Sequence, residues 1–490
     1  MKRWWGFLCF LALTLPAYAH IGSKDVYEEV NAGPYKLFVT IRTPNVIPGV
    51  AAIEVRSSGA TVRSLRITPT PLTGEASKHP PSSDAMKASD ADPAFFTGSL
   101  WLMASGSWQV HFDIDGSAGK ASSSVPVAAM PLSILPMARP LGILLAVLGV
   151  LLVVGMTAIV AAAVGQSRLD PGSEPGPSQR RRALAASIAA LAVTLLLVYG
   201  GFRWWHAEAI AYAGDIYHPL SLQPTLQGNV LSLKIGRYDA DELHRFRARS
   251  SDDLLPDHGH LMHLYAIRQP GMDAVYHLHP VPTSDKTLRM ALPAMPAGTY
   301  RLYGDIVHAN GFPETLTAEL VVPPGMPAAP LGAEDASGAP PPLSQGELGN
   351  RYTLPDGYIM VWDRPQDLSA NTAYAFRFRL LDGAGNPAPD VRPYLGMAGH
   401  AAFVKTDGTA FAHTHPEGSA AMQAMMLANG SSGEMADADT MGGMSSSTAE
   451  NIAPVVEFPY GFPSAGRYRV FIQMKHGNTV ETGVFDADVR

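Results

Sequence analysis

Hydrophobic and polar residues alternate with period two in runs such as YKLFVTIR (35–42), AAIEVRS (51–57) and SWQVHFDIDG (107–116), separated by Pro, Gly and Ser. Strict alternation of this kind predicts half-buried strands. Residues 20–138 then read as a small antiparallel sandwich, with the polar stretch 68–93 as a long exposed loop.

The alternation gives way twice to unbroken apolar runs. Residues 141–164 are 24 residues without a charge, and residues 183–202 are another 20. At 1.5 Å per residue these reach about 36 and 30 Å, enough to cross a hydrocarbon core of about 30 Å. Transmembrane helices are expected over 139–165 and 183–203. The loop between them, 166–182, carries Arg168, Arg180, Arg181 and Arg182, which predicts a cytoplasmic loop. Trp204 and Trp205 suit the outer interface. Residues 1–19 have a basic start, a short apolar stretch and the small residues Ala17 and Ala19, the pattern of a cleaved secretory signal. The expected location is the bacterial inner membrane with large domains facing the periplasm.

Beyond the helices the chain repeats itself. HLHP ends at Pro280 and HTHP at Pro416. LPAMPAGTYRLYGDIVH (292–308) matches FPYGFPSAGRYRVFIQMKH (458–476). His263, His277, His279 and His308 align pairwise with His400, His413, His415 and His476. Two copies of one sandwich are expected, 204–325 and 346–490, joined by a Pro/Ala/Gly linker over 326–345. The fold class is mainly β: three Ig-like β-sandwich domains outside the membrane plus two transmembrane α-helices.

Composition narrows the chemistry. A net charge of −7 without a basic stripe argues against a nucleic-acid partner. The one cysteine, Cys9, lies in the signal, so the mature chain offers neither disulfides nor thiolate ligands. No nucleophile–base motif, phosphate loop or paired-carboxylate signature is present, so the chain is not read as an enzyme.

Histidine is the remaining signal. If Asp407-Gly408 is a two-residue hairpin turn, Val404 pairs with Phe411, Ala402 with His413 and His400 with His415. All three histidines then share one face. In the first copy the same facing of His263 and His279 needs a five-residue loop over 269–273. His308 and His476 share the parity of Tyr300 and Tyr468, which predicts a fourth ring pointing inward and one separable cluster in each sandwich. The first copy adds His258 and His260, the latter aligned with Met397. Structural histidines satisfied by backbone carbonyls are the plain alternative, but a repeated set of four favours metal, since neutral imidazole is the commonest metal ligand.

A methionine-rich loop, 419–447, follows HTHP. It holds Met422, Met425, Met426, Met435, Met441 and Met444, six of the 20 methionines in the chain. Thioethers suit Cu(I) and imidazoles suit Cu(II), so copper is expected before zinc. A low-complexity filler loop is the alternative. Cleavage after Ala19 would also expose His20 as a chelating N-terminus.

GPYKLFVTIR through GSWQVHFDIDG resembles the external sandwich of FixH/YtkA-like membrane proteins, which implies links to oxidase assembly and metal handling. The duplicated half, with MAGH (397–400), HxHP and FPYxFPxxGRYR, resembles uncharacterised bacterial membrane-anchored proteins and implies no activity. An N-terminal His20 resembles CopC-type copper-binding proteins and the histidine-brace oxidases. The first reading is an inner-membrane-anchored periplasmic protein that binds, buffers or delivers copper, with another periplasmic or inner-membrane metal-handling protein as the expected partner. An interaction module with structural histidines is the second reading, and a copper oxidase using His20 the third.

Overall fold

The computed structural model describes residues 24–167, 169–170, 172–236, 252–430 and 451–490. The signal, His20, Arg168, Met435, Met441 and Met444 lie outside the described residues. The sandwiches form one compact unit and the helices another.

In the helical unit, α1 spans Arg139–Gln166 and α2 spans Pro177–Ala213. Both are long and apolar enough to cross a membrane, and the apolar side chains along them are exposed. Arg180, Arg181 and Arg182 belong to the first turns of α2, whose start is capped by Gln179 Oε1 accepting the Gly176 N–H at 2.7 Å.

The first sandwich packs the sheet Val26–Ala32, Tyr35–Arg42, Gly49–Gly59, Phe95–Leu102 on the sheet Val62–Pro71, Gly106–Gly116, Gly119–Ala129. Its core alternates as expected, with Leu37, Val39 and Ile41 inward from one strand. The stretch read as an exposed loop is mostly so, but two short edge strands, Asp84–Ala85 and Lys87–Ala88, tie it to the sheets.

The two copies repeat one design. Each has a four-stranded sheet on a larger one built around a long strand, Gly298–His308 or Gly466–His476. In both, a Gly-x-Tyr corner is fixed by the tyrosine hydroxyl donating four residues back: Tyr300 to the Pro296 carbonyl at 2.8 Å, Tyr468 to the Ser464 carbonyl at 2.9 Å. A second shared turn places His258 (φ 50) and Gly259 where the other copy has Leu395 (φ 51) and Gly396.

The hairpin strands are apolar on both faces, and this sets the architecture. From His263–Gln269, Leu264 and Ala266 enter their own sandwich core, while Tyr265 and Ile267 face the other copy. From His400–Lys405, Ala401 and Phe403 face inward, and Ala402 and Val404 meet Tyr265 and Ile267 across the boundary. The larger sheets of the two copies therefore lie face to face over a shared apolar layer. Tyr303 stacks on Phe411 there, ring centroids 4.2 Å apart. The buried Arg469, paired with Asp486 at 2.8 Å, donates to the Met272 and Pro341 carbonyls across the same boundary.

The segment read as a linker is structured. Its Ala336–Gly338 strand pairs with Val275–Leu278 and extends the larger sheet of the first copy. The methionine-rich stretch begins with α3, Met422–Ala428, which lays Ala424 and Ala428 on Leu72 of the first sandwich.

Candidate metal centre

The hairpin registers are those counted from the sequence. Val404 pairs with Phe411 and Ala402 with His413. Tyr265 pairs with His277, around the five-residue loop expected over 269–273. The second hairpin closes through a four-residue loop instead of two: the Lys405 carbonyl accepts from Gly408 at 2.8 Å, and Gly408 adopts φ +74.

The face these histidines share is the outer face of each larger sheet, which the other copy covers. His258, His260, His263, His277, His279, His400, His413 and His415 therefore gather in one centre between the copies. This corrects the expectation of one cluster inside each sandwich: parity told which residues share a face, and docking of the copies decided where that face lies.

His263, His277 and His279 form the best-defined set. His263 Nε2–H donates to the Asp257 carbonyl at 3.1 Å, His277 Nδ1–H to Gln473 Oε1 at 2.8 Å, and His279 Nδ1–H to Asp335 Oδ1 at 3.0 Å. Gln473 Oε1 also accepts the Tyr265 hydroxyl at 3.2 Å. The Tyr394 hydroxyl, which donates to the Glu334 carbonyl, lies 3.2 Å from the same edge of His277. A neutral imidazole carries one N–H. Each ring has spent its proton outward, so three lone pairs converge: His263 Nδ1 is 3.1 Å from His277 Nε2 and 3.2 Å from His279 Nε2. Nitrogens about 2.0–2.1 Å from a tetrahedral ion lie about 3.3 Å apart. Metal-bound histidines also characteristically donate their other N–H to a carbonyl or carboxylate. The donor set fits an ion.

The second set comprises His258, His400 and His415, each offering a nitrogen within 4.8 Å of the others. His413 stands beside it, Nδ1 3.3 Å from Asp305 Oδ2. His260 stacks on His279 at 4.1 Å and meets Glu334 at 3.0 Å.

Six of these rings resist protonation. Burial, then the neighbouring rings, keep His263, His277, His400 and His413 well below the ordinary histidine value. Burial, then His258, push His415 down to about 3. Burial lowers His279 against the opposing pull of Asp335. Burial also raises the Asp305 carboxyl to about 7.

Other expected ligands stand elsewhere. His308 and His476 lie on the opposite, inward parity of their strands. Asp253 at 2.9 Å and Glu314 at 3.0 Å hold His308, and its pKa is raised because these carboxylates outweigh burial. His476 meets Asp356 at 2.8 Å and stacks on Tyr358 at 4.1 Å. Met397 occupies the position of His260 and exchanges backbone hydrogen bonds with Tyr394 at 2.7 and 3.0 Å. Met422, Met425 and Met426 are half-buried on α3, a short docked helix where a polar loop was expected. The N–H groups of Met422 and Gln423 hydrogen-bond the buried Asp257 carboxylate.

Asp305, Gln473, Asp335 and Tyr394 are site residues that the sequence reading misses. Asp305 and Gln473 carried a usable signal: each lies three residues before an aligned histidine, as a polar residue in an apolar strand. Asp335 sits in a stretch whose composition reads as linker and carried none.

The first sandwich reaches the centre through the chain that leaves His415. Glu29 N–H donates to the Glu417 carbonyl at 2.6 Å, and Ser419 N–H to the Tyr27 carbonyl at 2.9 Å, adding residues 417–419 to the edge of Val26–Ala32. Gly418 (φ +152) passes so close that a side chain there would strike Glu28 and Tyr27. Glu28, fully buried and for that reason raised well above the usual carboxyl range, accepts the Ala420 N–H at 3.2 Å.

Residues 352–490, the second copy, match the family described as a domain of unknown function, DUF8832. No curated protein matches the chain. Among solved structures, similarity extends to a tetra-tandem repeat from the extending region of a large adhesion protein (8% identity, 93% of this chain, 74% of that chain, TM-score 0.16). A bacterial ice-binding adhesin (7%, 94% and 99%, 0.14) and the native E. coli alpha-2-macroglobulin (7%, 95% and 23%, 0.20) are also similar.

Proposed function

We propose that this chain is a membrane-anchored metal-binding protein whose ion sits between its two repeated sandwiches. The observation that carries the reading is the convergence of His263 Nδ1, His277 Nε2 and His279 Nε2, each ring anchored outward through its other nitrogen. Three unprotonated nitrogens at these separations repel one another unless a cation lies among them. Imidazole ligands without thiolate favour copper, with zinc as the alternative. Depressed histidine pKa values suit the role, because a ligand that is already neutral has no proton to release on binding.

Two membrane crossings return the chain to the side on which it began. With Arg180, Arg181 and Arg182 at the start of α2 on the cytoplasmic side, both flanks face the periplasm, where the protein would buffer copper or pass it on. Histidine as a purely structural residue describes His308, whose two ring nitrogens are both held by carboxylates, and not the central set.

Metal analysis of the intact protein in detergent tests this. At least one equivalent of copper or zinc per chain is expected, falling by one in the double substitution His277→Ala, His279→Ala. Wild-type protein that retains no metal after exposure to either ion would overturn the reading.

A further inference from the structure

We infer that the centre holds two ions, the second bound by His258, His400 and His415. The inference rests on the metal-binding reading above and extends it to a site that spans both copies.

The first observation is a concentration of unsatisfied nitrogens. His258 Nε2, both ring nitrogens of His400, His413 Nε2 and His415 Nε2 are buried without a hydrogen-bond partner. A buried polar atom normally finds a partner, and here five imidazole nitrogens lack one in one place. His263, His277 and His279 differ, since both nitrogens of each ring have a partner. Protonation does not resolve the problem, because His400 has neither ring nitrogen paired and a proton on either would remain unaccepted.

The second observation is ring geometry. Centroids of His258 and His400 are 5.4 Å apart, of His258 and His415 4.9 Å, and of His400 and His415 5.1 Å, all steeply inclined to one another. The first set has the same triangle, at 5.3, 5.0 and 4.6 Å. Three imidazoles on one ion, with bonds of about 2.0–2.1 Å, place their centroids about 5 Å apart. His400 lies farther from the first set, 6.3 Å from His263 and 5.9 Å from His277. Each triangle closes on its own.

The third observation is ligand number. Eight rings meet here, and a four-coordinate ion takes half of them. His260 is committed to Glu334 and His413 to Asp305 on one nitrogen each. His413 Nε2 remains as a fourth donor for either ion.

The two sites differ in what they fasten. The first draws its ligands from one copy. The second takes His258 from the first copy and His400 and His415 from the second, so an ion there clamps the copies together. His258 holds its ring in place from a left-handed backbone position (φ 50), where the other copy has Leu395. That substitution is why the duplicated fold supplies His258 once only. The ligand class is a transition-metal ion that accepts three or four neutral imidazoles, Cu(II) or Zn(II).

The test is stoichiometry on the intact detergent-solubilised chain, saturated with Zn(II) or Cu(II), desalted and analysed for metal per chain. Wild-type protein should retain two equivalents. His415→Ala should retain one, and so should His258→Asn, whose half-exposed turn position keeps the substitution from disturbing the core. His277→Ala should also retain one, with the other ion lost. One equivalent in wild type, unchanged in His415→Ala and His258→Asn, would overturn the second site and leave the metal-binding reading standing. No equivalents in wild type would overturn both. Loss of all metal in His258→Asn, with its melting curve unchanged, would show one shared site and overturn the inference.

Discussion

His277 is held by Gln473 across the boundary between the copies, Nδ1 to Oε1 at 2.8 Å, and the reciprocal position pairs His413 with Asp305 at 3.3 Å. Asp305 is the cross-strand neighbour of His263, and Gln473 that of His400. Each copy thus steadies the central histidine of the other from the same place in its own sheet, the self-complementary pattern of a two-fold dimer written into one chain.

Gln473→Leu should therefore weaken binding at the site of His263, His277 and His279 without touching a ligand. Removing the acceptor frees the His277 ring to rotate or change tautomer, and such outer partners are worth about 10–100-fold in metal affinity. Competition against a chromophoric chelator reads this directly. Unchanged affinity would mean that the tautomer is set by something other than Gln473.

His308→Ala and His476→Ala should leave the metal count unaltered. The first should still unfold more easily, by about 1.5–3 kcal/mol, because it removes one charged hydrogen-bond partner of the buried Glu314 carboxylate, which keeps the Leu220 N–H. Urea titration of the metal-free protein measures the loss, and metal analysis of the same sample checks the count. A drop in stoichiometry would return His308 to the ligand set.

The metal-free protein should lose stability as pH falls below about 6.5. Folded-state values of His263, His277, His279, His400 and His413 are depressed, and that of His415 is down to about 3 from 6.5. Between those values the unfolded chain binds protons that the folded chain refuses, so the stability these histidines contribute is full above 6.5 and declines through the window down to about 3. Melting temperatures at pH 8, 6 and 5 should fall in that order, and bound metal should oppose the fall. Metal binding itself should persist below the pH at which free imidazole protonates, since the folded rings are still neutral there. A melting temperature flat from pH 8 to 5 would contradict the burial of these rings.

Tyr303→Ala should uncouple the copies. Its ring stacks on Phe411 in the middle of the shared apolar layer, and removing a large buried aromatic costs about 3–5 kcal/mol. A double-mutant cycle with Phe411→Ala should return a coupling of about 0.5–1.5 kcal/mol. Additive losses would mean the two rings do not stabilise one another.

Much of this was legible before any coordinates. Alternation marked the strands, and uncharged length marked α1 and α2. Counting outward from Asp407-Gly408 gave the register that aligns Ala402 with His413, even though the loop proved to be four residues. What could not be read was which face of a strand looks inward. Tyr265 and Leu264 are both apolar, and period two separates them without ranking them. His308 and His476 were placed with the wrong partners for that reason, and the gathering of both copies into one centre was invisible because sheet-on-sheet docking leaves no mark on spacing. Asp335 was hidden differently, since Pro, Ala and Gly around it describe a linker whether or not a strand forms there.

The pairing of Tyr27 with Ser419 joins positions 392 residues apart. A ribosome makes the first sandwich early and the segment carrying His415 late, with both helices in between. Residues 417–420, just beyond His415, find their partners only when the late segment returns to the edge that the early domain has kept open. Completion of the second site would then report that all three sandwiches have been made and assembled, and a truncated or stalled chain would present the early edge without ever acquiring the clamp.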